Sequence, residues 1–509
     1  MQHADVLIAG AGPTGLVLAL WLTKSGVKVR IVDKAGKAGT TSRAIVFHAR
    51  NLEFYHQLGI AEIAVERGIK TIAGNFFKRG KKVGRVPLSD LQINFTPYQF
   101  FLALAQDKQE ELLEQQLAGL GVMVERSTEL VSFEQSANGI RAQLRRASGE
   151  LEQCEATYLA GCDGAHSVVR KQIGTGFPGG TYEETFYVAD LKCRGLFVQG
   201  EFNIALDDAD FLAIFPLKGD EQVRLVGTIR PEAMKKENLQ WEDVSEGVIK
   251  RLQIEVEKLN WFSTYRVHHR VATHFRNGNA FLLGDAGHIH SPIGGQGMNT
   301  GIGDAVNLAW KIAAVIKDKA PAALLDTYEP ERIAFARRLV ASTDNAFTFV
   351  TARSAFATWV RMNIVPVLLP WLFGFVSVRR LLFRTISQIA INYRQSDLSI
   401  GAAGKIRAGD RLPWVPGDTG TDNFTGLTTM KWQAHIYGNT PVGIRELCDK
   451  RGIKLHVFPW GNAAKEAGLQ ENAIYIIRPD GYVGFAGTDA DTAKIAAYMD
   501  KWGICLSYK

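Results

Sequence analysis

The chain has 509 residues, 46% of them hydrophobic and 22% charged, the make-up of a globular protein too long for one core and divided into roughly two or three domains. Its net charge of +7 and isoelectric point near 9.0 favour an anionic ligand such as a pyridine nucleotide, but no nucleic-acid motif accompanies the basic residues, so nucleic acid is not an expected partner. The cysteines at 154, 162, 193, 448 and 505 form no C-x-x-C pair and no zinc-ligand spacing, which points to a reduced cytoplasmic setting without a metal.

The first elements are the most informative. "MQHADVLIAGAGPTG" lacks the basic start of a signal peptide and enters a strand directly. In "ADVLIAGAGPTGLVLALWLTKSGVKVRIVDK" an apolar strand, Val6 to Ala9, leads into glycines 10, 12 and 15, a helix to about Ser25 and a second strand ending at Asp33. Gly10 permits a tight turn, Gly12 lets a pyrophosphate approach the backbone, and Gly15 lets the helix pack on the sheet. The helix start offers unpaired amides to phosphate, and Asp33, 18 residues after Gly15, is placed for ribose hydroxyls. The motif in this context predicts a bound dinucleotide.

Next comes "TTSRAIVFHARNLEFYHQLGI", with Arg43, His48 and Arg50, and then a helix predicted from about Tyr98 to Gly119. The strands "VMVERS", "LVSFEQ", "IRAQLRR" and "ATYLAGCDG" follow as a meander, where an NAD-type fold would continue with βαβ units. "YLAGCDGAHSVVRKQIG" sets Asp163 and Gly164 at a strand end, with Ser167 as a helix cap and Arg170 as a fork for phosphate or carboxylate. Residues 175 to 270 read as an antiparallel sheet, with Tyr187, Phe211 and Phe215 as candidate pocket lining. "NAFLLGDAGHIHSPIGGQGMNTGIGDAVNLAWKI" joins a buried strand to an amphipathic helix through a glycine-lined loop. There Asp285 can accept hydrogen bonds from a polyol, and Gly297, Met298 and Asn299 bring amides to a helix start. His288 and His290 find no third ligand, so no metal is expected.

The longest apolar run, "NIVPVLLPWLFGFV", has 14 residues and contains Pro366 and Pro370, too short and broken to span a bilayer. Arg361, Arg379, Arg380 and Arg384 flank it, and the expectation is a core helix or subunit interface rather than membrane contact. "GAAGKIRAGDRLPWVPG" reads as a linker to a final α/β unit ending in the helical "DADTAKIAAYMDKWG".

Together "GAGPTG", "CDGAHSVVR" and "GDAGHIHSPIGGQGMNTGIGDA" resemble the FAD-dependent aromatic hydroxylases, the single-component flavoprotein monooxygenases typified by p-hydroxybenzoate and phenol hydroxylases, over about residues 1 to 395. The resemblance implies an α/β fold: a Rossmann-like FAD-binding domain (1–174 and, with a helical segment, 273–398), an inserted antiparallel-sheet substrate domain (175–272), and a C-terminal thioredoxin-like α/β domain (399–509) preceded by the "AGDRLP" segment. It places FAD on Gly10, Gly12, Gly15, Asp33, Lys34, Arg43, Gln106, Leu130, Asp163, Asp285, Gly297, Met298 and Asn299, and Pro292, Arg43 and His48 at the reaction centre. NADPH or NADH would visit without a domain of its own. The implied reaction is hydroxylation of a phenolic or polycyclic aromatic substrate by O2 through a flavin C4a-hydroperoxide. His48, Arg43, Tyr187 and His268 are the candidates for deprotonating a phenol. Within enzymes the rival reading is epoxidation or inactivating hydroxylation of a non-aromatic or antibiotic substrate. A halogenase is disfavoured by the missing G-W-x-W-x-I-P segment, and a flavin-binding interaction module is the non-enzyme alternative. Without a C-x-x-C pair the C-terminal unit is expected to be structural, at the interface of a homodimer.

Overall fold

The computed structural model describes residues 2–39, 44–88, 91, 95–136, 139–195, 200–206, 211–229, 239–244, 246–351, 354, 356, 359–417, 421–488 and 491–504. Strands Val29–Val32, Gln2–Ala9, Leu151–Gly161 and Ala280–Leu282 lie side by side and parallel. Val6 to Ala9 are apolar without alternation because both faces of this sheet are covered. Pairing of Ala9 with Gly161, and of Gly161 with Leu282, sends three distant segments off one edge as neighbours. Each carries one of the three motifs.

The sequence reading differs from the structure at two places in this lobe. "VMVERS" makes only one bridge, Val32 to Glu125, before Ser127 turns the chain at φ 50°. The helix predicted from Tyr98 begins at Gln106. Ahead of it Phe101–Ala103 is a strand between Val46–Phe47 and Ile69–Thr71, since a short apolar run buried on all sides fits strand or helix equally well.

The second sheet has eight strands in the order His288–Ile289, Glu255–Val271, Gly179–Arg194, Gln222–Thr228, Phe211–Pro216, Glu201–Leu206, Ala73–Lys78 and Lys81–Pro87. It is therefore wider than the 175–272 segment. One face packs Tyr187, Leu191, Leu225 and Ile254 into a separate outer core. The opposite face carries Asp190 and Arg224, and Arg224 reaches the first lobe by donating to the Ala44 carbonyl at 3.0 Å.

In the C-terminal unit the parallel strands Gln433–Tyr437 and Lys454–Phe458 flank helix Ile444–Arg451. Antiparallel strands Ile474–Ile477 and Val483–Gly487 and helix Thr492–Trp502 complete the thioredoxin-like arrangement. It docks through buried charge. Arg478 grips Glu331 at 2.8 and 3.0 Å and Asp480 at 2.6 Å, while Lys311 meets Glu331 at 2.9 Å. The cations hold the Glu331 carboxyl well below the ordinary carboxylate range despite its burial.

The arginine-flanked run forms helices Val365–Gly374 and Val376–Ile386. Contrary to the core-helix expectation, Leu368, Trp371, Phe375 and Leu381 are exposed. Among the described residues no helix is long and apolar enough to cross a membrane.

Glu331→Ala would leave Lys311 in the interior without a carboxylate and Arg478 with Asp480 alone, so it should cost about 3–5 kcal/mol of stability. Urea unfolding of the full chain measures this; a loss below about 1 kcal/mol would show that the network does not anchor the C-terminal unit.

Candidate cofactor and active site

The first glycine turn divides into two kinds of glycine. Gly10 sits at φ +102°, where a Cβ would fall 2.2 Å from the Cys162 carbonyl oxygen, and a Cβ on Gly15 would fall 2.0 Å from the Gly10 oxygen. Both are required by the fold itself. Gly12 has an ordinary φ of −76°, and a Cβ there would meet nothing within 4 Å. It is the N-cap of helix Pro13–Lys24, which has no side-chain cap, so the helix start faces open space with its donors unspent.

Asp33 closes the turn. Its carboxylate accepts from the Ala11 and Ala35 amides at 2.7 Å each, and Arg126 stands 3.8 Å away while also pairing with Glu114. The Asp33 carbonyl accepts from the Thr128 amide at 2.9 Å, and Leu130 is buried on the strand Glu129–Ser136 that follows. Lys34 is exposed beside it.

At the second motif, Asp163 caps helix Val168–Gln172, accepting from the Val168 and Val169 amides at 2.7 and 3.1 Å. Its other carboxylate oxygen is buried without a hydrogen-bond partner. Ser167 is a cap, as its position in the sequence suggests. The Arg170 fork is filled by carbonyls, those of Ala286 at 2.9 Å and Ala165 at 2.8 Å, rather than left open for an anion. It ties the second motif to the third.

At the third motif Asp285 is exposed on the turn Gly284–Ala286 that follows strand Ala280–Leu282. The loop behind it is pinned by Asp304, which accepts from the Gly284 amide at 2.9 Å and pairs with His288 at 2.6 Å and Arg332 at 2.6 Å. His290 contacts the Ser291 carbonyl, and burial pulls its pKa down to about 4. Among the described residues no three His, Cys, Asp or Glu side chains form a metal-holding group. The Pro292 carbonyl accepts from the Gly295 amide at 2.9 Å, closing a turn in which Gly294 and Gly295 are left-handed.

Helix Gln296–Lys317 then starts without a side-chain cap, which leaves the Gly297 and Met298 amides no acceptor within the helix. The Asn299 side chain is fully engaged: it donates to the Val46 and Gly295 carbonyls at 2.8 and 2.7 Å and accepts from the His48 amide and the Asn51 side chain at 2.9 and 2.7 Å. Any contact from Asn299 to a ligand would come from its main chain. His48 is fully buried and neither ring nitrogen meets a well-formed hydrogen bond. Burial lowers its pKa to about 4, opposed by the nearby Gly294 and Gly295 backbone.

Thr14, in the first turn of helix Pro13–Lys24, meets the second turn of helix Gln296–Lys317 and the Gly284–Ala286 turn. A Cβ on Gly301 would fall 2.3 Å from the Thr14 hydroxyl, and one on Gly284 2.8 Å from it. Thr14, Asn51, Asp304 and Arg332 were not singled out in the sequence; Asp304, an acid inside an apolar helix, carried the one legible signal.

Arg43 lies outside the described residues. Its neighbour Ala44 accepts from the Gln106 amide at 3.2 Å and from Arg224, where the two lobes meet, and the Gln106 side chain donates to Glu110. Phe211 and Phe215 share the Arg224 face of the second sheet, beside Phe186 and Phe202 respectively. Tyr187 is on the other face, packed against Trp241 and Phe262, because successive strand residues alternate. His268 bonds Thr181 at 2.7 Å, and partial burial, reinforced by Arg270, lowers its pKa.

These residues fit a dinucleotide flavin: an open phosphate cradle at Gly12, an acid beside it, and a second uncapped helix start reached through a glycine loop. Residues 3–343 match the family model described as an FAD binding domain. The chain is 32% identical to 6-methylpretetramide 4-monooxygenase of Streptomyces rimosus, over 97% of its own length and 93% of the relative's. Rifampicin monooxygenase of Streptomyces venezuelae is 33% identical over 98% of each chain. The solved anhydrotetracycline hydroxylase from Streptomyces rimosus superposes with a TM-score of 0.79 at 28% identity, over 98% of this chain and 99% of its own.

Because the space at Gly12 is open, Gly12→Val should fold with an unfolding midpoint close to that of the cofactor-free wild-type chain yet retain no bound nucleotide cofactor, whereas Gly15→Ala should be destabilised outright. Retention of the cofactor by the first variant would refute the phosphate cradle; absorbance of the purified protein and thermal unfolding read both.

Acid should also weaken the fold. His48 and His290 titrate near 4 when folded and near 6.5 when not, so the unfolded chain binds more protons between those values. Stability is full above about pH 6.5 and declines as pH falls towards 4, on the order of 3 kcal/mol for each group. Denaturant unfolding at stepped pH should show this slope, reduced in His48→Gln; a flat profile would contradict it.

Proposed function

This chain belongs to the family of FAD-dependent aromatic hydroxylases, and from that premise we propose that it is an NAD(P)H- and oxygen-dependent monooxygenase hydroxylating a phenolic or polycyclic aromatic compound. The observation that carries the reading is a pair of helices with uncapped starts, packed together at Thr14 and Gly301, with an aromatic sheet face across the Ala44 junction. When bound, FAD would supply the redox chemistry by which a reduced nicotinamide and O2 hydroxylate the ring, the second oxygen atom leaving as water.

The chain's own work is positioning and charge. The amides at Gly12 and the start of helix Pro13–Lys24 hold the pyrophosphate, and Asp33 holds the ribose, with Lys34, Arg43, Gln106 and the Leu130 backbone alongside. Asp285 binds the ribityl chain. The Gly297 and Met298 amides, at the positive end of helix Gln296–Lys317, stabilise negative charge on the reduced ring system. Asp163 takes part through its unpartnered oxygen.

Pro292 and the Gly294–Gly295 turn shape the reaction centre and exclude water. His48 is neutral at pH 7 and too weak a base to deprotonate a phenol, so it serves there as a hydrogen-bond partner. Phe211 and Phe215 line the aromatic pocket, and Tyr187 stays outside it. No second glycine turn of the Rossmann kind occurs, which supports a nicotinamide nucleotide that binds transiently. The setting is cytoplasmic and the assembly a homodimer.

A second reading is favoured by the rifampicin monooxygenase similarity: the acceptor is an antibiotic and the product an inactivated one.

The test uses the purified yellow protein. NADPH and NADH oxidation should be accelerated by one member of a panel of phenols, polyketide aromatics and antibiotics, with a product heavier by one oxygen that derives from labelled O2. Protein that holds FAD yet whose NAD(P)H oxidation no compound accelerates would overturn the enzyme reading in favour of a flavin-binding module.

A further inference from the structure

Almost the whole net charge of the chain sits in one apolar stretch. Between Asp344 and Asp397 lie 52 residues without an aspartate, glutamate or lysine and with six arginines, at 353, 361, 379, 380, 384 and 394. The rest of the chain carries 53 basic residues against 52 acidic ones. The same stretch exposes large apolar side chains: Phe356 is 75% exposed, Trp359 54%, Trp371 60%, Phe375 48% and Leu381 68%. Trp371 and Phe375 lie edge to face at 5.1 Å.

Helix Val376–Ile386 is two-faced. Its inner side is fixed, with Phe383 buried and stacked on Phe101 at 5.6 Å and Arg380 donating to the Leu91 carbonyl at 2.7 Å. Its outer side presents Leu381, and Arg384 is exposed at the edge of that side with its guanidinium over the Phe95 ring at 5.2 Å. Exposed tryptophan, phenylalanine and leucine beside arginine, with no acid among them, suit the boundary between lipid headgroups and acyl chains, where the rings enter the apolar layer and the guanidinium groups meet phosphate.

We propose that Phe356, Trp359, Trp371, Phe375, Leu381 and Arg384 form a docking surface for an anionic lipid bilayer. Contact is confined to the surface, since no described helix is long and apolar enough to cross. A second copy of the chain is a poor occupant, because a two-fold contact would lay this arginine-only stretch against itself with no carboxylate in either copy to pair it.

The test is co-sedimentation of the full FAD-loaded chain with vesicles, read together with its tryptophan emission. Phosphatidylserine–phosphatidylcholine vesicles should bind the protein at least about tenfold more tightly than pure phosphatidylcholine, with a blue-shifted emission and weakening at high salt. Trp371→Ser with Leu381→Ser should lose most of that binding, and Arg384→Gln part of it, with FAD content and the unfolding midpoint unchanged. The proposal is overturned by absent binding, by equal binding to both vesicle types, or by binding that survives the double substitution. It is equally overturned if the protein ignores vesicles and sediments as a dimer that the double substitution dissociates, which would give the face to a second copy.

Discussion

Thr14 lies where two helices and a strand-end turn would collide if either facing residue carried a side chain. Gly284 and Gly301 remove those side chains, and the starts of helices Pro13–Lys24 and Gln296–Lys317 can share one small volume. A β-carbon at either glycine would push the helices apart and separate the two sets of amides that one elongated ligand has to touch. The parallel sheet makes this approach available by sending its three motif-bearing strands off one edge, but the glycine–threonine contact sets the spacing.

Beside the apolar core around that contact, buried charge fixes the neighbouring loops. Asp304 fixes the loop ahead of the second helix through His288, Arg332 and the Gly284 amide. Further out, Arg50 donates to the Asp480 carbonyl at 2.6 Å and Arg411 pairs with Glu53 at 3.0 Å, so the C-terminal unit clamps helix Ala49–Leu58. That helix begins directly after His48 and carries Asn51, both bonded to Asn299. A thioredoxin-like unit with no C-x-x-C pair thus holds one wall of the site in place. Such pairs add little net stability over an apolar packing but tolerate the loss of a partner poorly, which makes the docking specific.

Where backbone geometry dictates residue type, the sequence was legible. Gly10 and Gly15 are glycines because a backbone oxygen occupies the space of a β-carbon, and such positions announce themselves as motifs. Side-chain direction was less accessible. Tyr187 and Phe211 alternate with apolar neighbours on strands whose two faces are both covered, so periodicity marks two faces without saying which looks towards the first lobe. Strands 73–87 join a sheet whose other members come mostly from beyond residue 178, a pairing no local pattern encodes. Asp163 stood in a recognisable motif, yet which of its oxygens caps a helix is a matter of coordinates. The apolar run at 363–376 looked like core because hydrophobicity reports what a segment is made of and not whether anything covers it.

The absence of side-chain caps on the two converging helices has a consequence for how the halves of the lobe cohere. Natural helices usually close their first turn with a serine, threonine or acid; here both leave it to whatever is lodged between them. The occupant is then a shared piece of secondary structure, joining segments from opposite ends of the lobe's sequence. Its departure would loosen both at once, and a newly made chain would settle its two halves fully only when the occupant arrives.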